Sequence, residues 1–199
     1  SSANLIAKYA ATEDQPSREK HIGRIQKSVQ NLTNILNDFL SLEKLESGAQ
    51  SVNISQVNID ELLSEIIDEI SASLKEGQTI QLTGKAPTMS SDPHILKNIF
   101  FNLLSNASKY SNEGNPIQIE AVTDKDLKIS VTDKGIGIPE DEQEKMFERF
   151  FRAANATNIK GTGLGLNIVK KYAELLNGDI SFESKPGMGS TFTLTLPIN

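Results

Sequence analysis

At 199 residues the chain is long enough for one full hydrophobic core plus a smaller unit, and its 23% charged residues and 13 glycines lie near ordinary globular levels, which excludes wholesale disorder. The net charge of −6 is unevenly placed: residues 1–48 carry six Lys/Arg and six Asp/Glu, the remainder 14 against 20. An acidic second part argues against a nucleic-acid surface, and the absence of cysteine excludes disulfides, thiol catalysis and Cys-based zinc sites.

Residues 1–9 read as the end of a helix, followed by a polar bend from Ala11 to Pro16. From Ser17, a plausible N-cap, a helical pattern runs to Glu46 and stops at Gly48. Ile22, Ile25, Val29, Leu32, Leu36 and Phe39 alternate spacings of three and four, as in a bundle seam. At about 1.5 Å per residue such a helix is too long to hide in a small domain, so it calls for partner helices and a homodimer through residues 17–46.

Gly48 to Ser51 is the expected boundary between a unit 1–48 and a unit 49–199. Beyond it, Ser51–Gln56 reads as a strand, Asp60 as the cap of an amphipathic helix, and Thr79–Leu82 as a short strand before a loop through Pro87. Asp92-Pro93 opens a further helix as N-cap and first residue. Ile117–Val122 and Leu127–Thr132 alternate as a strand pair, and Asp179–Glu183 and Ser190–Leu196 make a second pair around a Pro-Gly turn. A helix from about Leu164 to Leu176 lies between the pairs. The expected fold is a two-layer α/β sandwich with a mixed sheet.

In the helix that Asp92-Pro93 opens, Asn98, Asn102, Asn106 and Tyr110 fall four apart on one face, opposite Ile95, Ile99, Phe100, Leu103, Leu104 and Ala107. Amides on an apolar helix need polar partners; amide oxygens suit a hydrated Mg²⁺, and the adjacent Lys109 suits phosphate. Asp133-Lys-Gly135-Ile-Gly137-Ile138-Pro139 ends a strand with a carboxylate that can accept from an exocyclic amine such as that of adenine. An ordinary Asp-x-Gly turn would look the same. Gly161-Thr162-Gly163-Leu164-Gly165-Leu leads into a helix, where free amides and the positive helix end favour phosphate. It is neither a P-loop nor the dinucleotide pattern, and a hinge is its structural alternative. Between the two glycine turns, the phenylalanines of Met146-Phe147-Glu-Arg149-Phe-Phe151-Arg152 suit anchors of a mobile flap, from which Arg149 or Arg152 can reach a phosphate. His21 and His94 read as helix-surface residues, too far apart in sequence to suggest a metal pair. No stretch of about 18 apolar residues occurs and nothing resembles a signal peptide at Ser1, so no membrane segment is expected and the setting is cytoplasmic, whether or not the parent protein is membrane-anchored.

Taken together, these blocks resemble the histidine protein kinases of two-component signalling, within the wider Bergerat-fold ATPase superfamily. Asn102 to Tyr110 resembles the N box, Asp133 to Pro139 the first glycine box, Phe147 to Arg152 the F box, and Gly161 to Leu166 the second glycine box. Gly187 to Pro197 is similar to the family's closing hairpin, and residues 17–48 resemble the second helix of the dimerisation and phosphotransfer hairpin.

The resemblance implies ATP bound between sheet and lid, with Asp133 at the adenine amine and Gly135, Gly137 and Ile138 around it. Asn106, helped by Asn102, would hold Mg²⁺, Lys109 would meet phosphate, and Tyr110 would line the pocket. Phe147 and the Gly161, Thr162, Gly163, Leu164, Gly165 turn complete the nucleotide set. Asn102, Lys109 and Arg152 are the residues expected at the transfer of the γ-phosphoryl group to a histidine, with a response-regulator receiver domain as the next partner. One departure matters: the family's His-Glu-x-Arg-Thr-Pro acceptor motif is absent, and His21 lacks every neighbour of that motif. The chain is therefore expected to bind ATP but not to autophosphorylate. Two other readings compete. An ATP-hydrolysing relative would carry Glu where Asn102 stands, and a non-catalytic ATP-sensing dimerisation module would need no acceptor.

Overall fold

The computed structural model describes residues 2–8 and 15–198. It opens with α1 (Ser2–Lys8) and α2 (Gln15–Glu46). Most of the expected bend at 11–16 lies outside the described residues. Pro16 does not: it falls in the first turn of α2, where its missing N–H costs nothing, so the helix starts ahead of Ser17. Gly48 ends α2 as expected, with φ 67° and the following amides of Ala49 and Gln50 donating back to the Lys44 carbonyl.

The chain divides into two compact units, Ser1–Glu43 and Lys44–Asn199. In the first, His21 is buried, with Nδ1 3.4 Å from the Ser2 hydroxyl, which corrects its expected surface role. The α2 seam is exposed instead: Val29, Leu32, Leu36 and Phe39 are 45–66% accessible.

The second unit runs β1 (Ser55–Asn58), α3 (Ile59–Ser71), β2 (Ile80–Gly84), β3 (Thr88–Ser91), α4 (Pro93–Tyr110), β4 (Ile117–Thr123) and β5 (Asp126–Asp133). Two short 3-10 helices, Glu140–Lys145 and Ala154–Ala156, precede α5 (Gly165–Leu175), β6 (Asp179–Lys185) and β7 (Gly189–Pro197). Five strands form a mixed sheet in the order β2-β4-β5-β7-β6, with only β2 and β4 parallel. The helices α3, α4 and α5 supply one side of the core against Ile119, Ile129, Val131 and Leu194. The strands alternate, so the opposite sheet face is polar, with Ser130 paired to Thr193 at 2.9 Å and Thr132 to Thr191 at 3.0 Å. The α/β sandwich with a mixed sheet is borne out.

Local differences have local causes. The first strand begins at Ser55 rather than Ser51, because it pairs with β3, a strand hidden in what reads as a loop. Asn58, not Asp60, caps α3, its side chain accepting from the Glu61 amide at 3.3 Å. Asp60 accepts instead from the Ala86 amide, 2.9 Å away and 26 residues on, a partner that no local rule reaches.

Helix α4 is the spine of this unit. Ile95, Leu96, Ile99, Phe100, Leu103 and Leu104 are at most 2% exposed, worth roughly 1.5–3 kcal/mol each by transfer. Its N-cap, Asp92, is itself buried: Oδ1 accepts from His94 and Ile95 amides at 2.9 and 3.1 Å, while Oδ2 accepts from the Asn53 amide at 2.7 Å. Asp92→Ala strips the helix cap and orphans the Asn53 amide together. A destabilisation of about 2 kcal/mol or more is expected in urea unfolding, and a loss under about 0.5 kcal/mol would show that the cap is dispensable.

Candidate functional site

The amide row of α4 is ordered by its own backbone. Asn98 Nδ2 donates to the His94 carbonyl at 2.9 Å, and Asn102 Nδ2 to the Asn98 carbonyl at 3.0 Å. Asn98 is thereby a bonded surface amide with no further task. Asn102, its nitrogen held, turns Oδ1 toward the start of α5: a Cβ built on Gly165 would lie 2.7 Å from that oxygen. Asn106, half-buried, continues the same face one turn later. Lys109 Nζ lies 3.1 Å from the Tyr110 hydroxyl and 4.7 Å from the ring centroid, and a Cβ on Gly161 would stand 2.5 Å from Nζ. The second glycine turn thus lies against the polar face of α4 at both ends, with only hydrogen where any side chain would intrude.

That turn opens α5, and no side chain caps its N-terminus. The Leu164 amide donates to Thr162 Oγ1 at 3.2 Å. Uncapped first-turn amides, a helix dipole and Lys109 alongside form a cradle for phosphate. Gly163, at φ 73°, packs on the chain at Phe150 and Phe151; a Cβ there would come within 2.8 Å of the Phe151 carbonyl oxygen.

Asp133 ends β5 at 7% exposure, with Oδ1 accepting from the Gly135 amide at 2.7 Å. Burial raises its pKa from 3.8 to about 6, offset in part by the Gly135 and Ser190 amides. The carboxylate is still ionised at pH 7, yet poorly solvated, so a donor such as an exocyclic amine gains a strong acceptor. The following loop is braced from two directions. The Ile136 amide donates to the Tyr110 carbonyl at 3.2 Å, and Gly187 and Ser184 of the closing hairpin meet the Ile136 carbonyl and Ile138 amide at 2.8 and 2.9 Å. Gly137, at φ 61°, passes so near the Lys185 carbonyl that a Cβ would collide with it. Ile138 is buried beneath this loop.

The phenylalanine segment divides its labours. Phe147 is an anchor: its ring meets Phe182 edge-on at 5.7 Å, and its carbonyl accepts from Asn167 at 2.7 Å. Phe150 stands 65% exposed at φ 60°. Arg149 pairs with Glu46. Arg152, expected at the transfer step, donates one guanidinium nitrogen to the carbonyls of Ala156 (2.7 Å), Thr157 (3.2 Å) and Ile159. In this arrangement that nitrogen ties the loop carbonyls of Ala156, Thr157 and Ile159 together. His94 sits exposed in the first turn of α4.

The structure therefore sets the second glycine turn against Asn102 and Lys109 of α4, and the loop that follows Asp133 against the Tyr110 carbonyl at the end of the same helix. Residues that the sequence left unnoticed hold them there. Asn155 Nδ2 bonds the Gly137 carbonyl at 2.9 Å, linking lid loop to first glycine turn, and Lys75 and Gln78 grip the end of α4. No periodicity or motif marks them, since each partner is distant in sequence. Among the described residues no group of three or more His, Cys, Asp or Glu side chains exists to hold a metal. A divalent cation here would rest on amide oxygens and on the phosphates of its ligand, a combination that suits Mg²⁺.

Asp133 supplies a test with two opposed readouts. Between about pH 4 and pH 6 the folded chain keeps a proton that the unfolded chain releases, so the stability of the unliganded protein falls as pH rises through that window. Asp133→Asn should raise the melting temperature of the unliganded protein at neutral pH and abolish the calorimetric signal of ADP. For the unaltered chain, ADP affinity should fall as pH drops through about 6. Unchanged ADP affinity in the variant would remove Asp133 from the base-binding role.

Comparison with known proteins agrees with this geometry. Residues 91–199 match the family described as histidine kinase-, DNA gyrase B- and HSP90-like ATPases. Among curated proteins, the chain is 34% identical over 197 residues to the sensor-like histidine kinase SenX3 of Mycolicibacterium smegmatis, covering 96% of this chain and 51% of that protein. It is 34% identical over 192 residues to the signal transduction histidine-protein kinase BarA of Escherichia coli K12, covering 91% of this chain and 21% of that one. The chain thus spans about half, or less, of these relatives. Among solved structures, the nucleotide-free catalytic domain of the histidine kinase ThkA superposes with TM-score 0.62 at 26% identity, over 73% of this chain and 96% of that one. Full-length ShkA in complex with AMPPNP shares the fold, with TM-score 0.75 at 23% identity over 92% of this chain and 39% of that one. The expected resemblance is borne out: the chain belongs to the histidine kinase-, DNA gyrase B- and HSP90-like ATPase family, and the curated relatives it matches are named as histidine kinases.

Proposed function

We propose that this chain is the nucleotide-binding core of a sensor histidine kinase, which binds Mg²⁺-ATP and directs its γ-phosphoryl group to a histidine imidazole. The observation that supports the proposal is that the amide- and lysine-bearing face of α4 (Asn102, Lys109) lies against the second glycine turn and the uncapped start of α5 (Gly165), while the end of the same helix meets the glycine loop that follows the buried Asp133 carboxylate. Asp133 accepts from the adenine amine, and Gly135 and Gly137 let the loop backbone approach the base. Lys109 and the α5 amides take the phosphates, with Tyr110 beside Lys109 and the Gly161–Gly165 turn as the lid. Asn106 and Asn102 offer the oxygens for the cation, which when bound neutralises phosphate charge. In the reaction the P–O bond to ADP breaks as a P–N bond forms on the acceptor, and the protein contributes mainly position and electrostatics. Arg152 serves by holding the lid loop.

The acceptor is not His21, whose ring is buried. We assign residues 1–48 to the dimerisation and phosphotransfer hairpin and residues 49–199 to the ATP-binding domain. The exposed seam of Val29, Leu32, Leu36 and Phe39 supports a homodimer through residues 17–46, since an apolar stripe of this length is covered in a stable assembly. A response-regulator receiver domain is the onward partner. Among the described residues no helix is long and apolar enough to cross a membrane, in keeping with work on the cytoplasmic side, where ATP is found.

Labelled ATP incubated with a copy of the chain extended upstream, so that it carries a His-Glu-x-Arg-Thr-Pro segment, should leave acid-labile, base-stable label on the protein. Steady release of free phosphate without protein label would identify a hydrolase instead, and neither product would leave an ATP-sensing module. In the chain as it stands, Asn106→Ala should weaken ADP binding with Mg²⁺ about tenfold and metal-free binding much less. Equal losses with and without Mg²⁺ would remove Asn106 from the cation.

A further inference from the structure

The last four carbonyls of an α-helix have no partner within it. At the end of α4 each finds one. Ala107 accepts from the Ser111 amide at 3.2 Å, and Tyr110 from the Ile136 amide at 3.2 Å. The two between them are met by side chains from the loop that follows α3: Gln78 Nε2 donates to the Ser108 carbonyl at 3.1 Å, and Lys75 Nζ to the Lys109 carbonyl at 2.8 Å. Both side chains reach further. Lys75 Nζ also bonds the Ser111 carbonyl at 2.6 Å, and Gln78 Nε2 the Asn112 carbonyl at 3.0 Å. Gln78 Oε1 accepts from the Ser108 hydroxyl at 2.6 Å and from the Lys75 amide at 3.1 Å, so the pair forms one connected clamp. Gln78 is 7% exposed and Lys75 half-buried, and the Lys75 charge sits at the negative end of the helix dipole.

This clamp grips the backbone of the residue whose side chain faces the second glycine turn. Lys109 Nζ lies where a Cβ on Gly161 would be 2.5 Å away, so a small rotation of the last turn of α4 would carry the ammonium off the glycine turn. A frayed helix end could not hold it there, because terminal turns that lack partners for their carbonyls open readily. We infer that Lys75 and Gln78 are positioning residues for phosphate recognition: they lock the last turn of α4 so that Lys109 faces the phosphate cradle.

The inference rests on the proposed nucleotide site, and the test separates the two. ADP and adenosine are titrated calorimetrically into the unaltered chain and into Lys75→Met, at a temperature where circular dichroism shows both to be folded. The variant should bind ADP about tenfold more weakly and adenosine within about twofold of the unaltered chain, because the loss passes through the phosphate contact. Lys75→Arg, which keeps charge and donors, should recover most of the ADP affinity. In a Lys109→Met background, Lys75→Met should add almost nothing, since the group it positions is gone. Equal losses for ADP and adenosine would make the clamp a stability element only, and full additivity with Lys109→Met would show that it does not act through Lys109. If Lys75→Met fails to fold, Gln78→Met is carried through the same titrations and judged by the same outcomes. Failure of the unaltered chain to bind ADP at all would overturn the site itself, and the clamp's role with it.

Discussion

Helix α4 must do two things that oppose each other: fill the core with apolar side chains and hold polar groups toward a cleft. A helix allows both only if its rotation and its ends are fixed, because a turn of one residue would drive amides into the core and leucines into the cleft. Its rotation is set by residues such as Ile99, Phe100 and Leu103, all buried in the core. Its start is set by Asp92, which caps it and ties it to Asn53. Its end is set by bonds from two places, the Lys75–Gln78 clamp and Ile136. Most of the geometry of the site depends on that helix being immobile.

The remaining walls are referred to α4 in turn. The loop after Asp133 is fastened to the Tyr110 carbonyl on one side and to the closing hairpin on the other. The second glycine turn lies against the side-chain ends of Asn102 and Lys109, which a larger residue at Gly165 or Gly161 would have to displace. Asn155 and Asn167 then bond the lid segment to the first glycine loop and the Phe147 carbonyl to α5. Polar side chains that touch no ligand thus account for much of the order around the cleft. Each is a bond between segments far apart in the chain, and such bonds make a site rigid while letting its lid loop stay polar and exposed.

Asp133 illustrates how a binding group is placed at a cost to stability. Its burial raises the pKa to about 6, which disfavours the charged form that recognition of an amine requires. Two backbone amides retain the charge at neutral pH without filling the acceptor capacity of the carboxylate. Strain of another kind recurs at Phe150, a bulky residue at positive φ whose backbone is packed by Gly163. Asn177, at φ 56°, is the other non-glycine residue at positive φ among the described residues.

Much was legible in the sequence because it depends on neighbours along the chain. The amphipathic helices, the two strand pairs, the Asp92-Pro93 start of α4, the Gly48 stop and the four motif blocks all rest on periodicity or on fixed short spacing. The polar bracing between distant segments was not legible. Lys75 and Gln78 look like ordinary loop residues, and Asp60 looks like a cap until its carboxylate is found on Ala86. Strand β3 was hidden because its partner, β1, lies 30 residues and one helix earlier. Arg152 reads as a free cation in the sequence, and only the fold shows that one of its guanidinium nitrogens is bonded to three loop carbonyls. Sequence by itself determined which residue types are proposed to face a nucleotide, since those are local patterns of charge, amide and glycine. Tertiary structure alone decided what holds them still, since a hydrogen bond between distant segments leaves no local trace.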